Sequence, residues 1–188
     1  MDSRANEILE FWETVGPKGW YEVSEELDET IREKYLSLWE EASAGKYKDW
    51  NLNAREALAL IILMDQFPRN MFRGDGKSFA TDEAALCVAK RAIEHDLDQQ
   101  IDGNMRQFFY LPLMHSESVV DQDASVRAFV TRMPGTDNLR HAKAHRKVIR
   151  EFGRFPYRND ALGRKSTEEE VDYIKAGGYR HTLETLAA

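Results

Sequence analysis

The side chains best suited to chemistry in this chain fall in three polar corners. The first is Asp65-Gln66-Phe67-Pro68-Arg69-Asn70, followed by Arg73-Gly74. The second is His115-Ser116-Glu117. The third is Gly153-Arg154-Phe155-Pro156-Tyr157-Arg158-Asn159, followed by Gly163-Arg164. The first and third share a grammar of Phe-Pro, Arg-Asn and a glycine beside an arginine. Arginine presents five donors in a planar fork that suits carbonyls, carboxylates and phosphates. Asparagine tolerates turns and joins a donor to an acceptor. Arg69, Asn70, Arg73, Arg154, Arg158, Asn159 and Arg164 are therefore candidates to bind a small anion, such as a phosphate ester or a carboxylate. Histidine changes charge near neutral pH, and His115 has an acid two residues on, so His115 with Glu117 is a candidate acid/base pair. Asp65 is the third candidate catalytic group. It ends the most apolar helix, where the dipole disfavours a carboxylate, so it needs a cation or donors. Arg69, Arg154 and Arg158 are the cations at hand.

Each corner also has a structural reading. Phe anchors in the core, Pro stops a helix, and Arg and Asn satisfy the carbonyls left at its end. That explains one copy better than it explains the extra Arg73-Gly74 and Gly163-Arg164. Five arginines brought together repel unless anions lie between them. Asp65 and Glu117 can serve, or a ligand can.

Other motifs fail on their requirements. Gly74–Ser78 ends like a phosphate-binding loop, but Met71 stands where that loop needs its first glycine, and a helix precedes it instead of a strand. His115-x-Glu117 resembles a zinc deaminase motif, which needs two later cysteines, and the chain has only Cys87. His141 and His145 have a workable metal spacing on a helix, but no acid lies between them and His145 falls on the apolar stripe. A packed, hydrogen-bonded histidine is the better reading. No metal or cofactor is called for.

Composition sets the frame. A chain of 188 residues with 42% hydrophobic and 31% charged residues suits one globular domain, taken as 1–188. No apolar run reaches the length of a membrane helix, and the acidic start lacks the features of a secretory signal. A single cysteine fits a reduced cytoplasm. Net charge is −7 but uneven. Residues 1–50 hold thirteen acids against six bases, and residues 140–165 hold nine bases against two acids. The basic stretch either attracts an anion or neutralises the acidic helices by packing. With a pI near 5.3 and no recognition motif, nucleic acid is set aside.

The elements that must position the corners are helical. Ala5, Ile8, Leu9 and Trp12 form a stripe that Gly16-Pro17 breaks. Ser24 caps a second helix with Leu27, Ile31, Leu38 and Ala42 facing in. Asn53 caps a third, from Ala54 to about Phe67, which Pro68 ends. A fourth runs Asp82–His95, and a short piece Asn104–Leu111. Ser118–Met133 follows, with Val119, Val126, Phe129, Val130 and Met133 inward, then Asp137–Phe152. Ser166–Glu170 offers two overlapping capping boxes for a last helix to about Ala176, with a frayed tail after it. The fold class is all-α, with seven or eight helices in antiparallel pairs.

At "LMDQFPRNMFRGDGKSFATD", "RQFFYLPLMHSES" and "HRKVIREFGRFPYRNDALGRKSTEEE" the sequence resembles the bacterial family called domain of unknown function 924. The likeness runs from "ILEFW" to "YIKAGGY". It implies a tetratricopeptide-like helical fold, although no 34-residue repeat is visible. It carries no established reaction. Its signature positions fall on the three corners, and Tyr157 stands where the resemblance leads one to expect histidine.

Three functions follow. The first is a binding module for a small anion, with Trp20 or Trp50 as cover. The second is a hydrolase with His115 as base, oriented by Asp65 or Glu117. The third is a helical scaffold for a peptide.

Overall fold

A computed structural model describes residues 2–186. The chain forms two compact units, Met1–Pro112 and Leu113–Ala188. Among the described residues there are ten α-helices and no strand, two or three helices more than the sequence suggests. No helix among them is long and apolar enough to cross a membrane.

The first unit holds α1 (Ser3–Gly19), α2 (Glu25–Ser43), α3 (Ala54–Ile61), α4 (Phe67–Met71) and α5 (Asp82–Glu94). Asp2, Ser24 and Asn53 cap α1, α2 and α3 by accepting backbone N–H bonds from Arg4, Leu27 and Glu56. Gly16, in the left-handed region at φ 69°, kinks α1 just before Pro17. The run Ala57–Met64 is buried on every side, so α3 is central, and α1 and α5 both pack on it. Trp12, Phe67 and Phe108 are fully buried and meet edge-on or tilted, with centroids 5.4 and 6.0 Å from Trp12. Each such ring contributes about 1.5–3 kcal/mol by leaving water. Trp20 and Trp50 belong to this core, Trp20 stacked on Trp12 and Trp50 on Tyr47.

Pro68 does not end the third helix. α3 widens into a π-turn over Ile62–Gln66 and continues as α4, with Pro68 in its first turn. The reason is local hydrogen bonding. Proline has no N–H for the carbonyl four residues back, and its ring crowds that carbonyl. Met64 is that residue. Its carbonyl accepts instead from the Thr81 hydroxyl at 2.6 Å, and Thr81 in turn accepts from the Trp39 indole N–H at 3.1 Å. One extra residue in the turn lets Phe67 N–H reach Ile62 O and the helix go on.

A short helix, α6 (Leu111–His115), carries the chain into the second unit, which holds α7 (Val119–Arg132), α8 (Asn138–Phe152), α9 (Glu168–Lys175) and α10 (Gly178–Thr185). α8 packs on α7 and α10. Its apolar stripe, Val148 and Ile149, joins Phe155, with Phe152 and Tyr173 against them. Of the two capping boxes, Thr167–Glu170 forms. Beyond Ala176, Gly177, at φ 111°, turns the chain and α10 docks on α8, where the Thr182 hydroxyl bonds Gly178 O and Tyr173. Two stripes hold only in part: Ile31, Ala42, Val126, Phe129 and Met133 are buried as expected, and their neighbours shift. In α2 Asp28, Ile31, Tyr35 and Trp39 are buried, and Leu27 and Leu38 only half so. In α7 Val119 and Val130 are exposed, and Asp121, Gln122 and Ser125 are buried.

Candidate functional site

The first corner closes on acids of its own unit. Asp28, from α2, accepts from Asn70 Nδ2 at 2.8 Å and from Arg73 Nε and Nη2 at 2.8 Å each. Burial pushes the Asp28 carboxyl up, but Arg73 and Asn70 outweigh it and leave it below the usual carboxylate range. Arg69 forms a two-point pair with Asp82 at 2.9 and 3.0 Å, bonds the Asp65 carbonyl, and lies 3.3 Å from the Asp65 carboxylate. Asp65 is fully buried within the π-turn and accepts from the Gln66 amide. Tyr21 bonds Gln107 nearby. Burial, with the charge of Asp65, pushes its phenol up to about 12.

The second and third corners meet in the second unit. α8 ends at Gly153, left-handed at φ 70°, whose N–H bonds Ile149 O. Pro156 then opens a 3-10 turn, Pro156–Arg158. Glu117 grips this turn from outside. It accepts from Arg164 at 2.7 and 3.0 Å and from Phe155 N–H at 2.8 Å. Burial pushes Glu117 up, but Arg164, the Phe155 N–H and Arg158 hold it below the ordinary carboxylate range. Glu170 grips from the other side. Arg154 donates twice, at 2.6 and 2.7 Å, Asn159 at 3.2 Å and Thr167 N–H at 2.8 Å. Arg154, the leading cause, and the other donors hold the Glu170 carboxyl at about 2. Asn159 Oδ1 takes Arg164 Nε at 2.9 Å, which joins the two clamps.

Inside these clamps lies a cluster of imidazoles and phenols. The Arg158 guanidinium, on a buried residue, sits 4.4 Å over the Phe155 ring. Phe155 meets His145 edge-on at 5.5 Å and stacks on Tyr157 at 5.3 Å. His115 lies 6.4 Å from His145, and Tyr179 lies 4.6 Å from it. His145 Nδ1 bonds the His141 carbonyl at 2.9 Å. A carbonyl only accepts, so Nδ1 carries the proton and Nε2 the lone pair. Burial first, then His115, Arg158 and His141, pull the His145 imidazole down to about 3. His141 Nδ1 lies 2.7 Å from the Tyr179 hydroxyl, and its Nε2 lies 3.4 Å from Asp137. Burial pushes the Tyr179 phenol above its ordinary value.

The candidate residues thus divide. His115 and Arg158 join one cluster around His145. Arg73, Arg154, Arg164, Asn70, Asn159 and Glu117 make clamps that tie turns to helices, and Arg69 ties the π-turn to Asp82 and Asp65. Sequence reasoning missed Asp28, Glu170, His141, His145 and Tyr179 as partners. The signals were unequal. The capping box marked Glu170 as a helix-start acid, and the His141–His145 spacing was plain. Tyr179 lay in the supposed frayed tail, and Asp28 lay one residue off the chosen stripe. Among the described residues no three His, Cys, Asp or Glu side chains are grouped to hold a metal ion.

The chain matches a family model over residues 8–178, described as "Bacterial protein of unknown function (DUF924)". The chain belongs to this family. No curated protein matches it. Among solved structures, it is similar to a protein of unknown function from Agrobacterium tumefaciens, at 35% identity and a TM-score of 0.89, over 93% of this chain and 98% of that one. That likeness spans both units.

Proposed function

We propose that this member of the family binds a small anion in its second unit, between His115, His145 and Arg158. The supporting observation is the gathering of these three groups around Phe155, Tyr157 and Tyr179. Neighbours that oppose a proton on one imidazole favour negative charge at the same place. Arg158 supplies the fork for a carboxylate, and the imidazoles supply further donors. Aromatic walls lower the local dielectric and strengthen these contacts. Arg158 is assigned to the ligand because it lies over Phe155, beside the imidazole cluster.

Calorimetry with succinate, inorganic phosphate and neutral succinamide tests this. An anion binds and the diamide does not. Arg158→Gln weakens binding at least ~10-fold, equivalent to about 1.4 kcal/mol, while Arg150→Gln, on the exposed face of α8, leaves it unchanged. No heat with either anion, or wild-type affinity in a folded Arg158→Gln protein, rejects the reading.

A further inference from the structure

We propose that the same site hydrolyses esters that carry a carboxylate, with His145 as general base, Tyr179 as general acid, and His141 and Asp137 positioning Tyr179. This rests on the anion-binding reading above and adds a reaction to it.

The geometry begins with spacing. Asp137, His141 and His145 stand four residues apart at the start of α8, on one side of the helix. Asp137 Oδ2 lies 3.4 Å from His141 Nε2, and His141 Nδ1 lies 2.7 Å from the Tyr179 hydroxyl. The Tyr179 ring lies 4.6 Å from that of His145, whose Nδ1 proton is held by the His141 carbonyl at 2.9 Å. A carboxylate, an imidazole and a phenol thus form a chain that ends beside an imidazole carrying its lone pair on Nε2. Of these residues the sequence marked only the histidines, and it marked them as packing.

Acid and base roles follow from environment. Groups whose surroundings drive their proton affinities apart make an acid/base pair. Tyr179 keeps its proton, and His145 stays neutral. Burial first, and then His115 and Arg158, oppose protonation of His145. A carboxylate bound between them offsets their charge and so raises the basicity of His145 when substrate is present.

The step balances. Water oxygen attacks the ester carbonyl carbon and gives a proton to His145 Nε2. The tetrahedral intermediate collapses, the bond from carbon to the alcohol oxygen breaks, and the departing alkoxide takes the Tyr179 hydroxyl proton. His141, bonded through Nδ1 to Tyr179 Oη and with Nε2 3.4 Å from Asp137, holds the Tyr179 oxygen in place through the transfer. The His145 imidazolium returns its proton to Tyr179. Ester and water become acid and alcohol, with no other reactant.

The probes are ethyl hydrogen succinate, 4-nitrophenyl hydrogen succinate and uncharged 4-nitrophenyl butyrate. Wild-type protein hydrolyses both succinate esters and prefers the charged nitrophenyl ester over the butyrate by at least ~10-fold in kcat/KM. Tyr179→Phe lowers kcat on the ethyl ester by ~100-fold or more. It loses far less on the nitrophenyl ester, whose leaving group needs no proton, a contrast that a packing role does not produce. His145→Gln loses kcat on both esters. His141→Asn lowers kcat on the ethyl ester with KM unmoved. If succinate binds but neither succinate ester is cleaved above the uncatalysed rate, catalysis is rejected and the anion site stands. Equal loss on both esters in Tyr179→Phe removes its role as acid. If succinate does not bind, both readings fall.

Discussion

Pro68 and Pro156 each follow a phenylalanine and precede an Arg-Asn pair or its near copy, yet Pro68 lies inside a helix that continues and Pro156 lies after one that has ended. Residues upstream account for the difference. Before Pro68 the chain is buried and apolar, so leaving the helix would strand backbone groups away from water. A π-turn and the Thr81 hydroxyl absorb the proline instead. Before Pro156 stands Gly153, which adopts the left-handed conformation and caps α8. Neither proline stops a helix. What the corners do share is a carboxylate from another element that takes an arginine and an asparagine together: Asp28 with Arg73 and Asn70, Glu170 with Arg154 and Asn159. Only the asparagine of each clamp is common to the grammar: Arg73 lies after Asn70 and Arg154 before Asn159, and context decides both the arginine and the backbone path.

Removing the clamp of the second unit has the largest expected effect. Glu170→Ala leaves Arg154, Asn159 and Thr167 N–H without their acceptor and costs ~3 kcal/mol in chemical denaturation. The same clamp has a signed pH dependence. The folded Glu170 carboxyl, at about 2, lies below its ordinary value of 4.5, so the unfolded chain binds the proton more readily. Its stabilisation is complete above about pH 4.5 and disappears as pH falls toward 2. The wild-type and Glu170→Ala midpoints therefore converge across that window. Parallel curves down to pH 2 would show that the clamp carries no charge linkage.

A smaller effect separates the first corner from the third. Thr81→Val removes the donor to Met64 O and the acceptor for Trp39, and costs ~2 kcal/mol by thermal or urea unfolding. A neutral result would mean that the π-turn holds without Thr81. Smallest is Gly153→Ala, which forces a side chain into φ 70° with open space around it. It costs ~1 kcal/mol, through backbone conformation alone. If Gly153→Ala costs more than Thr81→Val, the ranking of the two corners is reversed.

The fold was legible where hydrophobic spacing and capping agree. Ser24, Asn53 and Thr167 cap as their types require, and the stripe around Leu58 and Ile61 is central. Errors came where polar groups are buried. A carboxylate such as Asp28 faces inward only because an arginine forty-five residues away meets it, and no local pattern contains that distance. The sequence places the end of the last helix near Ala176, yet α10 follows Gly177 and packs on α8. The candidate site was half legible. His115 and Arg158 were chosen, and His145 and Tyr179 were not, since their value lies in which rings surround them.

The amino-acid order by itself determined an all-helical chain, its principal caps and the three polar corners, because helix propensity, capping and apolar periodicity act within a few residues. Tertiary structure alone decided which arginines are held by acids, that two of the corners share one unit, and that α10 brings Tyr179 to His141 and His145. Those outcomes depend on charges and rings brought together by packing, whose energies arise only when distant segments exclude water between them.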